Sequence, residues 1–150
     1  MTDKPINLRH KALDFLSRRD YSYLELFEKL KKYTEDTDEI KIILDEMVAQ
    51  KFLNEERYIE SFINSKSKKY GSLKVKYLLS NKVNDSSLVS KIYQEQNIDE
   101  KDRAKEIWLK KFAGKYPADQ KEKAKQIRFM LNRGFSMDII LNIINKKIED

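Results

Sequence analysis

The sequence predicts an all-α protein made of three tandem three-helix repeats stacked into an elongated, curved array. Three observations carry that reading. Gly and Pro, the residues of tight turns, number only 3 and 2 among 150, while Leu, Ile, Lys, Glu and Asp dominate. Apolar residues recur at three- and four-residue steps, the spacing of helices. Three candidate helix caps, Asp36, Asn84 and Ser136, each precede the same pattern: Ile40, Leu88 and Ile140 stand four residues on, and Leu44, Ile92 and Ile144 eight. Their offsets of 48 and 52 residues suit a helical array. Units this small cannot bury an apolar face alone, so neighbours stack; one compact nine-helix bundle is the alternative.

Taken in order, residues 1–7 read as a short disordered lead. The first repeat, 8–53, opens with a helix over about Leu8 to Ser17, with Ala12, Leu13, Leu16 and Phe15 inward. Ser22-x-x-Glu25 has the spacing of a capping box for a second helix carrying Leu26, Leu30 and Phe27. Asp36 or Thr37 caps a third, with Ile40, Ile43, Leu44, Met47 and Val48 as its apolar residues. The cluster Asp36-Thr37-Asp38-Glu39 is no calcium loop, because Lys41 and Met47 occupy the positions that need glycine and glutamate.

Phe52-Leu53-Asn54-Glu55-Glu56 forms a corner between two repeats. Asn54 suits an N-cap, the two glutamates suit the positive end of a helix, and Phe52 or Leu53 suits a hydrophobic staple near Tyr58 and Ile59. The second repeat, 54–97, has a helix over about Glu55 to Lys69 with Phe62 and Ile63 inward, then Gly71 as a left-handed terminator and Ser72 as the next cap. Val75, Leu78 and Leu79 face inward on its second helix, and Val83-Asn84-Asp85 starts its third. The third repeat, 98–150, has Ala104, Ile107, Trp108 and Phe112, a break at Gly114-Lys115-Tyr116-Pro117, then Ile127, Met130 and Leu131 up to Gly134. Phe135 and Ser136 supply a staple and a cap for a last helix with Ile140, Ile144 and Ile148.

The net charge of +6 is uneven: residues 1–54 carry 10 basic and 11 acidic side chains, 55–100 carry 8 and 7, and 101–150 carry 13 and 7. Ser61 to Asn84 has six lysines and no acid. Such tracts attract polyanions or acidic protein surfaces. Lys66, Lys68, Lys69, Lys74 and Lys76 in the second repeat, with Lys105, Lys110, Lys111, Arg128 and Arg133 in the third, are the candidate partner or nucleic-acid contacts. A solvated helix face is the plain alternative for each. Tyr21, Tyr23, Tyr70, Tyr77, Tyr93 and Tyr116 lie near cations, a combination that binds single strands by stacking plus charge, although Tyr also packs helix seams.

Catalytic chemistry has little to work with. There is no Cys and one histidine, His10, so Ser/His/Asp and Cys/His arrangements lack parts, and three scattered glycines cannot form a phosphate loop. A carboxylate-only metal nuclease is the surviving enzyme class. No metal or cofactor is expected. The polar start and the lack of a long apolar run lead to the expectation of a chain with no leader and no membrane span.

The stretches Ala12-Leu13-x-x-Leu16-x-Arg18-x-x-x-Ser22-x-x-Glu25-Leu26-x-x-Lys29-Leu30, Phe52-Leu53-Asn54-x-Glu56-Arg57-Tyr58-x-x-x-Phe62 and Arg128-x-x-Leu131-x-Arg133-Gly134-Phe135-x-x-x-Ile139-Ile140 resemble the regulatory protein RecX family, over roughly residues 8–148. Glu55 replaces the usual aspartate and Lys82 the usual glycine. The resemblance implies a cytoplasmic monomer that binds the RecA filament on single-stranded DNA and inhibits its ATPase, strand-exchange and coprotease activities, so tuning recombinational repair and the SOS response. Arg18 and Arg57 match family positions, with a structural role expected. Direct DNA contact by a helical module without a RecA role is the alternative function, and a generic helical adaptor is what remains after both.

Overall fold

The computed structural model describes residues 7–145, and nine α-helices run through them with no strand among the described residues. They are α1 (Leu8–Arg18), α2 (Tyr23–Leu30), α3 (Thr37–Ala49), α4 (Glu55–Lys66), α5 (Ser72–Ser80), α6 (Ser86–Glu95), α7 (Glu100–Phe112), α8 (Gln120–Asn132) and α9 (Met137–Ile144). By packing, the chain divides into two compact units. One comprises residues up to Ser61 with Ser80–Ile92; the other comprises Phe62–Leu79 with Tyr93 onward. Helices α1, α2 and α3 pack pairwise in the first, and α7, α8 and α9 pack pairwise in the second.

The triplet recurrence is visible in what each helix buries. First helices bury Leu8 and Ala12, Ile59 and Ile63, Ala104 and Trp108; second helices bury Leu26 and Leu30, Val75 and Leu79, Gln126 and Met130. Third helices bury Ile40 and Ile43, Val89 and Ile92, Ile140 and Ile143. Asp85, rather than Asn84, caps α6, accepting from Leu88 N–H at 3.0 Å. That one-residue shift improves the repeat, because the residue four after the cap becomes buried Val89, while Leu88 is half-buried. The caps then stand 49 and 51 residues apart.

The helix starts follow their capping chemistry. Asn7 Oδ1 accepts from His10 N–H at 3.1 Å and caps α1, while the other residues of the expected lead, 1–6, and Ile148 lie outside the described residues. Ser22 and Glu25 form the full capping box, and Asp36, Asn54 and Ser136 cap α3, α4 and α9. Two further starts are capped from a distance. Tyr23 N–H donates to Glu55 Oε2 at 2.8 Å, and Ser72 N–H donates to Glu100 Oε1 at 2.8 Å. In each case the first residue of one triplet satisfies the first N–H of the preceding triplet's second helix, a charge-assisted bond at a helix's positive end. Ser72 is therefore the first residue of α5 and not its cap.

Other expectations are corrected by burial. Val48, Phe52 and Leu131 are exposed, leaving Leu53 as the buried residue at the corner. Helix α4 ends at Lys66, three residues early, and Gly71 is not left-handed.

In the first unit, Arg57 Nε donates to both oxygens of Asp20 at 2.8 and 3.0 Å, and Arg18 pairs with Asp14 at 3.0 Å, structural roles for both arginines. Glu25 is the hub there. Burial pushes its carboxyl up, but the Ser22 N–H, the Arg19 and Lys82 cations and the Tyr58 hydroxyl outweigh it and hold the pKa below its ordinary value. Burial, then Glu25 itself, pushes the Tyr58 phenol up. Lys82, with its Nζ 3.4 Å from Glu25 Oε2, thus acquires an ion pair where a glycine would have none.

In the second unit, the side chain of buried Gln126 accepts from Trp108 Nε1 at 2.8 Å and donates to Lys115 O at 2.9 Å, tying the α7–α8 loop to the core.

Two stability outcomes are expected. Because the Glu25 pKa is depressed on folding, its contribution is present above the ordinary value of 4.5 and is lost as pH falls through the lower folded value. Urea titrations of Glu25→Gln should therefore show a deficit near neutrality that closes towards acid pH. Gln126→Ala strands the Trp108 N–H and the Lys115 carbonyl, and should lower unfolding free energy by about 2 to 4 kcal/mol.

Candidate functional site

All ten candidate cations fall in the second compact unit. That unit carries 18 Lys and Arg against 10 Asp and Glu, net +8, which leaves the first unit 13 against 15, net −2. The basic character belongs to one unit.

Backbone contact decides how the tracts meet. Gly71 N–H donates to Arg133 O at 2.7 Å, and Leu73 N–H donates to Gly134 O at 3.1 Å, so the start of α5 lies directly on the α8–α9 turn. Gly134 has φ +95, and a Cβ there would stand 2.6 Å from Lys74 N. A Cβ on Gly71 would stand 2.6 Å from Gly134 C and 2.7 Å from Phe135 Cδ1. Both positions need glycine, Gly134 for its backbone and Gly71 for the approach alone.

The contact links three predicted cations through two rings. Lys74 Nζ lies 4.5 Å from the Tyr70 ring centre, Arg133 lies 5.8 Å from Tyr70 and 5.1 Å from Phe129, and Lys111 Nζ lies 5.2 Å from Phe129. Lys74 Nζ also donates to Asn132 O at 3.3 Å. Cation–ring attraction and this bond hold the charges in place. Lys66 and Lys76 sit instead over Phe62 and Tyr93, at 5.8 and 5.3 Å. Lys68, Lys69, Lys105, Lys110 and Arg128 are exposed and stand outside the ring-linked group. The Tyr93 phenol is pushed up to about 12 by burial and by Glu100, so it remains neutral.

Phe129 was not singled out in the sequence, although it lies within the acid-free run 123–137 beside Arg128. Of the expected aromatic contacts, Tyr21 is buried with Arg19 stacked 3.7 Å from its ring centre, and the Tyr23 hydroxyl hydrogen-bonds Asp45 at 3.1 Å. Both serve packing in the first unit. Tyr116 packs against Trp108 at 5.1 Å.

Fold and site together define a helical-repeat protein with a cationic surface on one unit. A family model described as the third three-helix domain of RecX matches residues 99–144. Proteins named regulatory protein RecX from Pseudomonas fluorescens and Ralstonia nicotianae are 33% and 35% identical, over 95% and 94% of this chain and 93% and 88% of theirs. The crystal structure of RecX from Lactobacillus salivarius shares the fold, with a TM-score of 0.74, 22% identity and 92% of each chain covered. The chain belongs to the RecX family of regulatory proteins.

Gly71→Ala tests the junction. Its Cβ meets backbone that cannot yield cheaply, so the substitution should cost about 1 to 3 kcal/mol in urea unfolding, and amide exchange at Leu73 should accelerate.

Proposed function

We propose that this protein regulates RecA by binding the RecA filament on single-stranded DNA, lowering ATP hydrolysis, strand exchange and coprotease activity in the cytoplasm, and that it does so by occupancy rather than catalysis. The observation that carries the reading is the concentration of cations in the second unit of a chain from the RecX family. Two further features support it. Acids at the helix starts, including Glu55, Glu100, Asp36 and Asp85, are engaged with backbone N–H groups, the occupation of structural carboxylates. The tandem three-helix plan, with repeats at 8–53, 54–97 and 98–150, supplies successive similar surfaces, and several weak contacts along a filament sum through effective concentration.

A second reading, a helical nucleic-acid-binding module without a RecA role, is favoured by the rings among the cations. The effect on RecA separates the two. A module of that kind binds bare DNA with a log–log salt slope of several phosphates and leaves RecA unaffected.

Charge reversal of Lys68, Lys69 and Lys74 to Glu should weaken inhibition of the RecA ATPase by about tenfold or more at low ionic strength, with a smaller effect as salt is added. Undiminished inhibition by a folded triple variant would remove these positions from the interface.

A further inference from the structure

We infer that the junction where α5 meets the α8–α9 turn is a docking surface for an acidic protein segment that carries aliphatic side chains. This deepens the proposed function and rests on it for which protein supplies the segment, though not for the segment's chemistry.

Residues 61–79 hold five lysines and residues 123–137 hold four Lys and Arg, with no Asp or Glu in either. These are the stretches that the Gly71–Arg133 and Leu73–Gly134 hydrogen bonds join. Two acid-free tracts far apart in sequence are folded onto one another; Asp138 directly follows the second on α9, and Glu100, which reaches the start of α5, is engaged by Ser72 N–H.

The same segments also expose apolar side chains. Leu73, whose N–H binds Gly134, is 58% exposed, and Leu131 and Met137, three residues either side of Gly134, are 44% and 42% exposed. Exposed aliphatic side chains borne by segments that also carry cations match the composition of protein interfaces, an apolar core with a charged rim. A phosphate backbone gains little from covering them.

Base stacking needs open aromatic faces. Tyr70 already carries Lys74 and Arg133, and Phe129 carries Lys111 and Arg133 and meets Phe112 edge-on at 5.4 Å. Those cations crowd the two rings at the junction itself; Tyr77, further along α5, is 67% exposed, and its ring is the stacking face that an oligothymidylate probes. The surface fits carboxylates and aliphatic groups together better than nucleobases.

The test uses the full chain and three probes of equal charge: a repeated Glu-Glu-Leu peptide, a Glu-Glu-Ser peptide of the same length, and an oligothymidylate. The leucine peptide should bind about tenfold tighter than the serine peptide. The double variant Leu73→Ser/Met137→Ser, at exposed positions and checked by thermal unfolding, should erase that preference without altering oligothymidylate binding. Equal binding of the two peptides by the parent chain overturns the inference whatever the variant does, as does an oligothymidylate affinity that exceeds the leucine peptide's and falls with the double variant. Failure of the parent chain to inhibit RecA, with peptide selectivity intact, faults the proposed partner and not this surface.

Discussion

The approach of two backbones at Gly71 and Gly134 is the constraint on which the cationic surface depends. Like charges brought together repel, so packing an acid-free segment onto another acid-free turn needs an attraction that is not itself electrostatic between side chains. Backbone hydrogen bonds supply it: the Gly71 and Leu73 N–H groups use the carbonyls of Arg133 and Gly134, just past the end of α8, where no further helical turn supplies donors. The lysine and arginine side chains then lean on rings and on the Asn132 carbonyl. A side chain at either glycine would separate the backbones and scatter the charges.

A second regularity governs the repeat. Glu55 and Glu100 open their own helices and satisfy the first N–H of a helix in the preceding triplet. Such a bond does two things at once. It removes an orphan donor, and it couples the start of one triplet to the position of the last. Aspartate at position 55 would have a shorter reach to Tyr23, so the longer glutamate suits the span found here. The offsets of the two acceptors, 45 residues, and of the two donors, 49, differ mainly because α3 has 13 residues and α6 has 10.

Much of the fold was legible because apolar spacing and capping are local. Ser22-x-x-Glu25, Asp36, Asn54 and Ser136 announced helix starts correctly, and Ile40, Leu79, Met130 and Ile140 are buried as their periodicity required. Failures cluster where tertiary contact decides. Val48 and Leu131 fit the apolar stripe yet face outward, because a stripe records spacing and not whether a partner is present. Gly71 was read for its backbone freedom when its lack of a Cβ was what mattered. Gln126 left no signal, since a glutamine on a charged helix looks solvated until a tryptophan indole and a loop carbonyl are known to lie beside it. Every candidate cation was identified as basic, but their segregation to one compact unit was not, because that unit joins two stretches separated in sequence.

That segregation alters what the net charge means. A chain of +6 with uniform charge would meet an anion in any orientation, whereas units of −2 and +8 favour encounters through the second. Long-range steering of this kind governs rates and is screened by salt. It does not choose between DNA and an acidic protein, since both are anions. The choice falls to short-range features that salt does not screen. Tyr70 and Phe129, each flanked by cations, offer less to bases than the exposed Tyr77 ring does, and exposed Leu73 and Met137 offer little to phosphates. On the proposed reading, charge would bring the partner to the second unit, and the aliphatic groups beside the Gly71–Gly134 contact would decide which partner remains.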